Sequence, residues 1–506
     1  YALSMALGPP LSLFAQTPED AAEKNTGAFA ETVYVIRRID YRIDGKTRPR
    51  ALEREGEFRE DLRFTGRAAL DEYVEEKDRN LHNLRAFREG SSVAYTLGEP
   101  EADGTVPVYL EVSVTDSSSL IILPEPKYDS NAGFTLSLNL REYNFWGTLA
   151  PFKFDLLWKT DEKNRTAAGF ILDAALPFYA LGRHWKINAF NEFRYYLSGE
   201  PAYNKSALGI ALELPWKETV FTLGFEQGLV VHEENDDRDD INDGDYHDWY
   251  AYSRPAAGWE IPTPLEAGSF GPLVYTPEAY GIFNYRPGDV GEYRRGPAAG
   301  FNQELGFRRV DWVGNFRRGL AARVFNGNEY NLHRRDWNNS AGAGVEGHLR
   351  FSALAGVSGR ILYTRWFGEP YKRAGDTMRG YRDDELYARE RLALNVDLPF
   401  RLIRFVPSEW KNNEKYHFLD FEQHWSLFAD FLMLDAPNER TQSDAYAFSP
   451  EDLITALGLE IITFPLKWRS VYLRVSAGWN LREWIRTGRL PSGIHREVFI
   501  GLGHFY

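Results

Sequence analysis

Residues able to do chemistry are sparse in this chain, and none is spaced for a covalent reaction. Cysteine is absent, which removes thiolate nucleophiles, thiolate metal sites and disulfide scaffolds. No G-x-S-x-G, H-E-x-x-H or P-loop pattern occurs, and Gly45-Lys46-Thr47 lacks the upstream glycine that a phosphate-cradling loop requires. Gly342-Ala-Gly-Val-Glu-Gly347 matches G-x-G-x-x-G in form only. No apolar strand precedes it, and the segment after it (His348 to Leu354) alternates like a strand where a dinucleotide fold needs a helix. Glu233–Asp248, EENDDRDDINDGDYHD, gathers nine carboxylates and one arginine. Calcium would suit that charge, but no window completes D-x-[DN]-x-[DN]-G, so a solvated loop is expected and no metal or cofactor is assigned. Two short segments remain: Met378-Arg379-Gly380-Tyr381 in the charged, turn-like RAGDTMRGYRDDE, and Phe428-Ala429-Asp430 in the apolar HWSLFADFLML. Alone, the first reads as an ordinary loop cation and the second as a polar residue on a strand.

The elements that would position them are strands. From about Tyr128 onward the apolar period is two. Phe134, Leu136, Leu138 and Leu140 face one way, with Thr135, Ser137 and Asn139 opposite; Phe152–Trp158, Leu208–Leu214 and Phe221–Phe225 alternate likewise. A soluble sandwich alternates in the same way, so periodicity alone does not decide. Composition weighs more. The 506 residues include 33 Phe, 28 Tyr and 14 Trp beside 43 Gly, a pattern suited to a barrel whose aromatics belt two membrane interfaces while lumen and loops stay polar. No apolar run reaches the length of a membrane helix, so a membrane location requires a closed barrel. At roughly 20–25 residues per strand and connection, the C-terminal part would hold about 16 antiparallel strands. A net charge of −14 makes a nucleic-acid partner unlikely to be held by counterion release.

The front of the chain differs. Residues 1–16, YALSMALGPPLSLFAQ, are uncharged and too short to span a bilayer; they read as the remnant of a secretory signal peptide, with 17–32 as a linker. Residues 33–120 read as a small α+β module in the order strand, helix, helix, strand, strand. Leu70, Tyr73, Val74, Leu81 and Leu84 form one helical stripe, and Val106, Val108, Leu110, Val112 and Val114 share one strand face.

Within that module, Gly45-Lys46-Thr47-Arg48-Pro49 and Leu81-His82-Asn83-Leu84-Arg85-Ala86-Phe87 resemble the GNTRT and L-x-N-L-x-x-F patches of a POTRA domain. Together with a barrel over 126–506, the two segments singled out above resemble the [VI]RG[FY] and F-x-D signatures of the BamA/TamA superfamily (bacterial surface antigen family) of outer-membrane assembly and translocation barrels. Asn144-Phe145-Trp146-Gly147 is similar to that family's N-[LF]-x-G turn. Ala456–Glu460 and Tyr472–Gly478 are similar to its penultimate strands. Two departures stand out: Leu432 replaces the glycine that usually follows F-x-D, and Asn395, four residues before Pro399, replaces a glutamate.

The resemblance implies that Met378–Tyr381 tip a loop folded into the lumen as a plug, with Phe428 and Asp430 as partners on the inner wall. Physical chemistry suits those roles, because a guanidinium takes a carboxylate bidentately and Gly380 lets the backbone approach the wall. It also implies a lateral seam between Phe134, Leu136, Leu138 and Leu140 on a first strand and Val498, Ile500, Gly501, Gly503 and Tyr506 on a last one. The expected role is a non-enzymatic insertase, without a cofactor, that lets unfolded outer-membrane clients enter lipid through the seam. Its POTRA-like domain would lie in the periplasm and bind accessory proteins. The alternatives are a two-partner-secretion pore, disfavoured because about 17 residues separate Gln16 from Val33; a single-POTRA mitochondrial sorting barrel, which lacks a secretory signal; a passive porin; and a barrel enzyme using His232 or His247.

Overall fold

The computed structural model describes residues 32–504 apart from 85, 89, 118, 130–132, 161–164, 218, 233–248, 288–289, 291–293, 368–371, 382–385, 436–447, 469–470 and 493–494. The signal-like segment, the acidic segment 233–248 with its calcium question, and Tyr506 therefore lie outside the described residues.

The chain opens with β1 (Val33–Asp44), α1 (Pro49–Gly56), β2 (Arg63–Thr65), α2 (Arg67–Asn83), β3 (Ser92–Leu97) and β4 (Val106–Thr115). They form a four-stranded sheet in the order β2-β1-β4-β3, with β1 and β4 parallel. A parallel pair needs a long crossover, which the two helices supply. Each helix turns an apolar stripe to the sheet: Leu52, Leu70, Val74 and Leu81 pack on Ile36, Val108, Leu110 and Val112, all buried in one core.

The rest is one closed antiparallel barrel of 18 strands. Its first half comprises β5 (Leu120–Asp129), β6 (Gly133–Glu142), β7 (Phe152–Thr160), β8 (Thr166–Ala180), β9 (Arg183–Tyr196), β10 (Tyr203–Trp216), β11 (Thr219–Val231), β12 (Trp249–Glu266) and β13 (Pro272–Tyr285). It continues through β14 (Pro297–Val313), β15 (Phe316–Asn331), β16 (Asp336–Arg350), β17 (Gly356–Phe367), β20 (Glu390–Phe405), β21 (Phe421–Asp435), β22 (Ile454–Pro465), β23 (Val471–Asn480) and β24 (Arg496–His504). Two further strands, β18 (Lys372–Arg373) and β19 (Tyr387–Ala388), pair with each other inside the β17–β20 connection.

The count exceeds the expected 16 because several hairpins close in two residues (Leu181-Gly182 after β8, Gly314-Asn315 after β14), so each strand with its connection takes the short end of the roughly 20–25 residues allowed for it. The barrel also begins at Leu120, ahead of 126. The segment LIILPEPKYD escapes the strand pattern because prolines interrupt it, and prolines are confined to positions where no ladder donor is needed. Gly342–Gly347 lies inside strand β16, which runs on through Arg350, so the strand expected over His348–Leu354 holds for its first three residues only.

The alternation places apolar side chains outside. Leu208, Ile210, Leu223, Phe225, Phe283, Phe301, Val324, Val345, Ile361 and Leu427 are exposed on the outer face. Aromatics flank that band at one end (Trp216, Trp259, Trp410) and the other (Tyr195, Trp249, Tyr285, Trp337), the layout of a lipid-facing barrel. Connections alternate between ends. Those after β6, β8 and β14 lie beside the α+β domain; those after β5, β17, β21 and β23 open at the far end. The sheet closes where β24 meets β5, and among the described residues only Phe499–Asp129 and Ile500–Tyr128 are in register there.

Candidate functional site

The β17–β20 connection starts at the far end and folds back against the inner wall. The β18–β19 pair narrows its base, and a single tight turn, Gly375–Thr377, leads into Met378. Met378, Tyr381 and Leu386 of the loop are buried in one cluster with Ala393 of β20, Leu432 and Leu434 of β21, and Ile454 and Ala456 of β22. Wall residues that face inward on β21 are the even-numbered ones, which places Phe428, Asp430 and Leu432 on the loop side and leaves Leu427 exposed outside. The leucine that departs from the family pattern is therefore part of the floor on which the loop rests.

Arg379 makes the densest polar contacts of the loop. Its Nε donates to Asp430 Oδ2 at 2.9 Å and its Nη2 to Asp430 Oδ1 at 2.8 Å, a bidentate fork. Its backbone N–H donates to the same carboxylate at 2.9 Å. Nη1 donates to Asp397 Oδ1 at 2.7 Å, and Glu460 Oε2 lies 3.8 Å away. The guanidinium carbon sits 3.8 Å from the centre of the Phe428 ring, a cation–π contact. Asp430 is fully buried (0%) and the Arg379 side chain is 18% exposed, so the pair is largely withdrawn from water.

Glycines make room for this approach. Gly380 has φ +87, and a Cβ there would stand 2.8 Å from Trp479 N and 2.9 Å from Ala456 Cβ. Its N–H donates to Glu497 Oε2 at 3.0 Å. Register explains the fit: Asp397, Phe428, Gly458, Gly478 and Glu497 stand side by side across β20, β21, β22, β23 and β24. The Phe428 ring lies over the bare backbone of Gly458 and Gly478, where added Cβ atoms would meet its Cζ at 2.2 and 2.9 Å. Tyr381 closes the tip with its ring edge-on to His495, centroids 5.3 Å apart.

Supporting contacts run along the loop. Asn395 Nδ2 donates to Thr377 O at 2.9 Å while its Oδ1 accepts from Arg360 at 2.9 and 3.1 Å. Arg391 bonds Asp376 and the carbonyl of Ala374. Sequence reasoning named Arg379, Gly380, Phe428 and Asp430, and these come together. It missed Asp397, Glu460, Glu497, Gly458 and Gly478 as members of the site, although period two puts Asp397 on the face of Asn395 and the segments carrying Gly458, Glu460 and Gly478 were already singled out.

Two further motifs, Gly45–Pro49 and Asn144–Gly147, meet each other at the domain end. Asp116 accepts from the Lys46 and Thr47 amides (2.8 and 3.0 Å) and from Thr47 Oγ1 at 2.6 Å. Asn144, in the β6–β7 turn, donates to Thr47 Oγ1 at 2.6 Å and to Asp116 Oδ2 at 3.1 Å. Arg48 N donates to Gly147 O at 2.9 Å, and a Cβ on Gly147 would fall 2.0 Å from Lys46 O. A second contact joins Asn83 of α2 to the end of β14: Nδ2 to Asp311 Oδ1 at 2.9 Å, and Trp312 N to Oδ1 at 3.0 Å.

The seam residues need correction. Phe134, Leu136, Leu138 and Leu140 lie on β6, the second barrel strand, which is paired with β5 on one side and β7 on the other. Phe134, Leu136 and Leu138 are exposed on the outer face. Their place at the closure is taken by β5, which the proline-bearing sequence disguised. Ile500 on β24 does meet β5, at Tyr128, while Val498, Gly501 and Gly503 have register partners on β23.

No family model and no curated protein matches the chain. Among solved structures it is similar to BamA from Haemophilus ducreyi lacking POTRA domains 1–3, at 14% identity over 93% of this chain and 84% of that one, with a TM-score of 0.37. It is also similar to CdiB from Acinetobacter baumannii, at 10% identity over 93% and 74% with a TM-score of 0.44. CdiB from Escherichia coli gives 8% identity over 95% and 92% with a TM-score of 0.40. At these identities no residue's role carries across from one chain to the other.

Proposed function

We propose that this chain is an outer-membrane barrel of the BamA/TamA superfamily that inserts client β-barrels into lipid through its β24–β5 seam, without covalent chemistry or a cofactor. The observation that supports this reading most directly is the seam itself, a closure with two register pairs among the described residues in a barrel whose other strand pairs are laddered at length. In hydrocarbon an unpaired strand edge is costly, so such an edge is a site where another strand gains hydrogen bonds. An incoming client strand would pair there and enter lipid with its backbone satisfied. The Arg379 loop would keep the bore shut while this happens. The α+β domain, read as a POTRA domain in the periplasm, would receive unfolded clients or accessory proteins at its sheet edge.

The test is reconstitution. Purified protein in lipid vesicles should accelerate insertion of a urea-unfolded outer-membrane barrel, scored by protease resistance, relative to empty vesicles. Equal rates would overturn the insertase reading. Steady single-channel conductance with export of one soluble passenger would replace it with a two-partner-secretion pore.

A further inference from the structure

The seam stops where β5 runs out of donors. In an antiparallel strand, successive residues turn their N–H and C=O to alternate neighbours. Tyr143 N donates to Ser119 O at 3.0 Å, which fixes the parity: odd residues of β5 bond β6, and even residues face β24. Tyr128, the even residue nearest the far end, is opposite Ile500. The next two even residues are Pro126 and Pro124, which have no N–H. Continuing the register would bring Leu502 and His504 opposite them, and each would present a carbonyl to a missing donor. The strands nevertheless remain neighbours. Lys127 Nζ lies 5.4 Å from the Phe499 ring centre, and a Cβ on Gly501 would fall 3.4 Å from Glu125 Oε1.

A second region of the barrel shows the same rule at work. Pairing between β12 and β13 drops out at Pro255 and again opposite Pro277, then resumes beyond each. Those are single prolines flanked by good donors. On β5 two prolines occupy consecutive positions of the same edge.

We propose that Pro124 and Pro126 set the length of the seam: they keep β5 and β24 from zipping at the end beside the α+β domain and confine closure to the far end. The inference rests on the seam being the working edge for its functional meaning. Its test reads strand pairing directly and so stands apart from client insertion.

The chain has no cysteine, so introduced pairs report cleanly. Glu125→Cys with Gly503→Cys would be opposite each other only in an extended seam, whereas Asp129→Cys with Phe499→Cys are in register already. In the parent background the first pair should oxidise slowly and the second quickly. In Pro124→Val/Pro126→Val the first pair should cross-link about tenfold faster or more, the change expected from the two backbone hydrogen bonds restored, while the second stays the same. Rapid cross-linking of 125 to 503 with the prolines present would overturn the proposal, as would no change on removing them. If the double variant does not fold, judged by heat-modifiable migration, Pro126→Val alone restores one donor and is read with the same pairs. Lost client insertion in a variant whose seam has lengthened supports both readings. Unaltered insertion in that variant keeps the proline assignment and removes the seam from the mechanism.

Discussion

Replacing Arg379 by alanine removes the cation shared by three carboxylates, of which Glu460 alone keeps another, Arg474 at 2.5 Å. Asp430 is left fully buried with two lost side-chain bonds, and Asp397 and Glu460 lose their shared neighbour. Taking one partner from a buried, hydrogen-bonded pair costs on the order of 3–5 kcal/mol, because the remaining charge stays desolvated. At 1.4 kcal/mol per decade, that shifts loop docking by roughly 10²-fold to several thousandfold. The barrel ladders do not depend on the loop, so Arg379→Ala should still migrate as a folded, heat-modifiable barrel. Hydrogen exchange over residues 374–381 should accelerate by at least about a hundredfold, and bilayer conductance should rise as the bore clears. Arg379→Lys keeps the charge but lacks the fork, and should fall between parent and alanine. Exchanging the partners, Arg379→Asp with Asp430→Arg, should recover part of the protection, since Asp397 and Glu460 stay beside the moved guanidinium. Exchange at 374–381 as slow in Arg379→Ala as in the parent would refute the lock.

Gly458→Ala should undock the loop tip and displace Phe428, measured by exchange at 378–381; Phe428→Leu should not rescue it, because the added Cβ also meets Ala477 O at 2.3 Å. Asn144→Ala should loosen the domain on the barrel. It removes three hydrogen bonds from a residue 1% exposed, worth roughly 1–3 kcal/mol per buried polar group left unpaired. Spin labels on α2 and on the β8–β9 turn should then give a broadened distance distribution, and an unchanged one would remove Asn144 from the junction. In the β20–β21 connection, burial would raise the Asp420 carboxyl, but the Ser408 hydroxyl and amide and His417 Nδ1 donate to it and hold it below its ordinary 3.8. A depressed carboxyl stabilises the fold above its unfolded value and loses that contribution as pH falls through the folded one. Exchange at Ser408 N should therefore stay slow down to about pH 4 and accelerate in stronger acid, and Asp420→Asn should flatten the profile.

The closed antiparallel barrel was legible because alternation in Leu208–Leu214 or Phe221–Phe225 and abundant aromatics report directly on a wall with one side in lipid. The strand number was not, because it depends on hairpin length, and Leu181-Gly182 or Gly314-Asn315 give no more signal than any other glycine pair. The first strand was misplaced for a related reason. Pro124 and Pro126 argue against a central strand, and only closure makes β5 an edge on which they are tolerated. Within the site, Arg379 and Asp430 could be paired only through a family pattern, since nothing local links residues 51 positions apart. Gly458 and Gly478 were visible as letters without a role: their use depends on a register row that brings Phe428 over both, and cross-strand register is not written in either strand alone.

The lock and the seam are mechanically joined. The loop touches every strand from β20 to β24: Asp397, Asp430 and Glu460 hold Arg379, the Trp479 backbone abuts Gly380, and Glu497 accepts the Gly380 amide. On the other side of the closure, β6 is tied to the α+β domain through Lys46 Nζ to Glu142 Oε2 at 2.9 Å and through Asn144. The two flanks of the seam are thus held by different parts of the molecule, one stapled by the loop and one by the domain. Separating β24 from β5 leaves the loop contacts intact if β20–β24 move together, whereas bending β24 alone must break the Gly380–Glu497 bond. Glu497→Gln keeps an acceptor without the charge and Glu497→Leu removes it. If β24 opens by bending, Glu497→Leu should raise exchange at Ile500 while leaving Asp430 and Arg379 paired. If the flank moves as a unit, Ile500 should be indifferent to Glu497 and should respond instead to Asn144→Ala on the opposite flank.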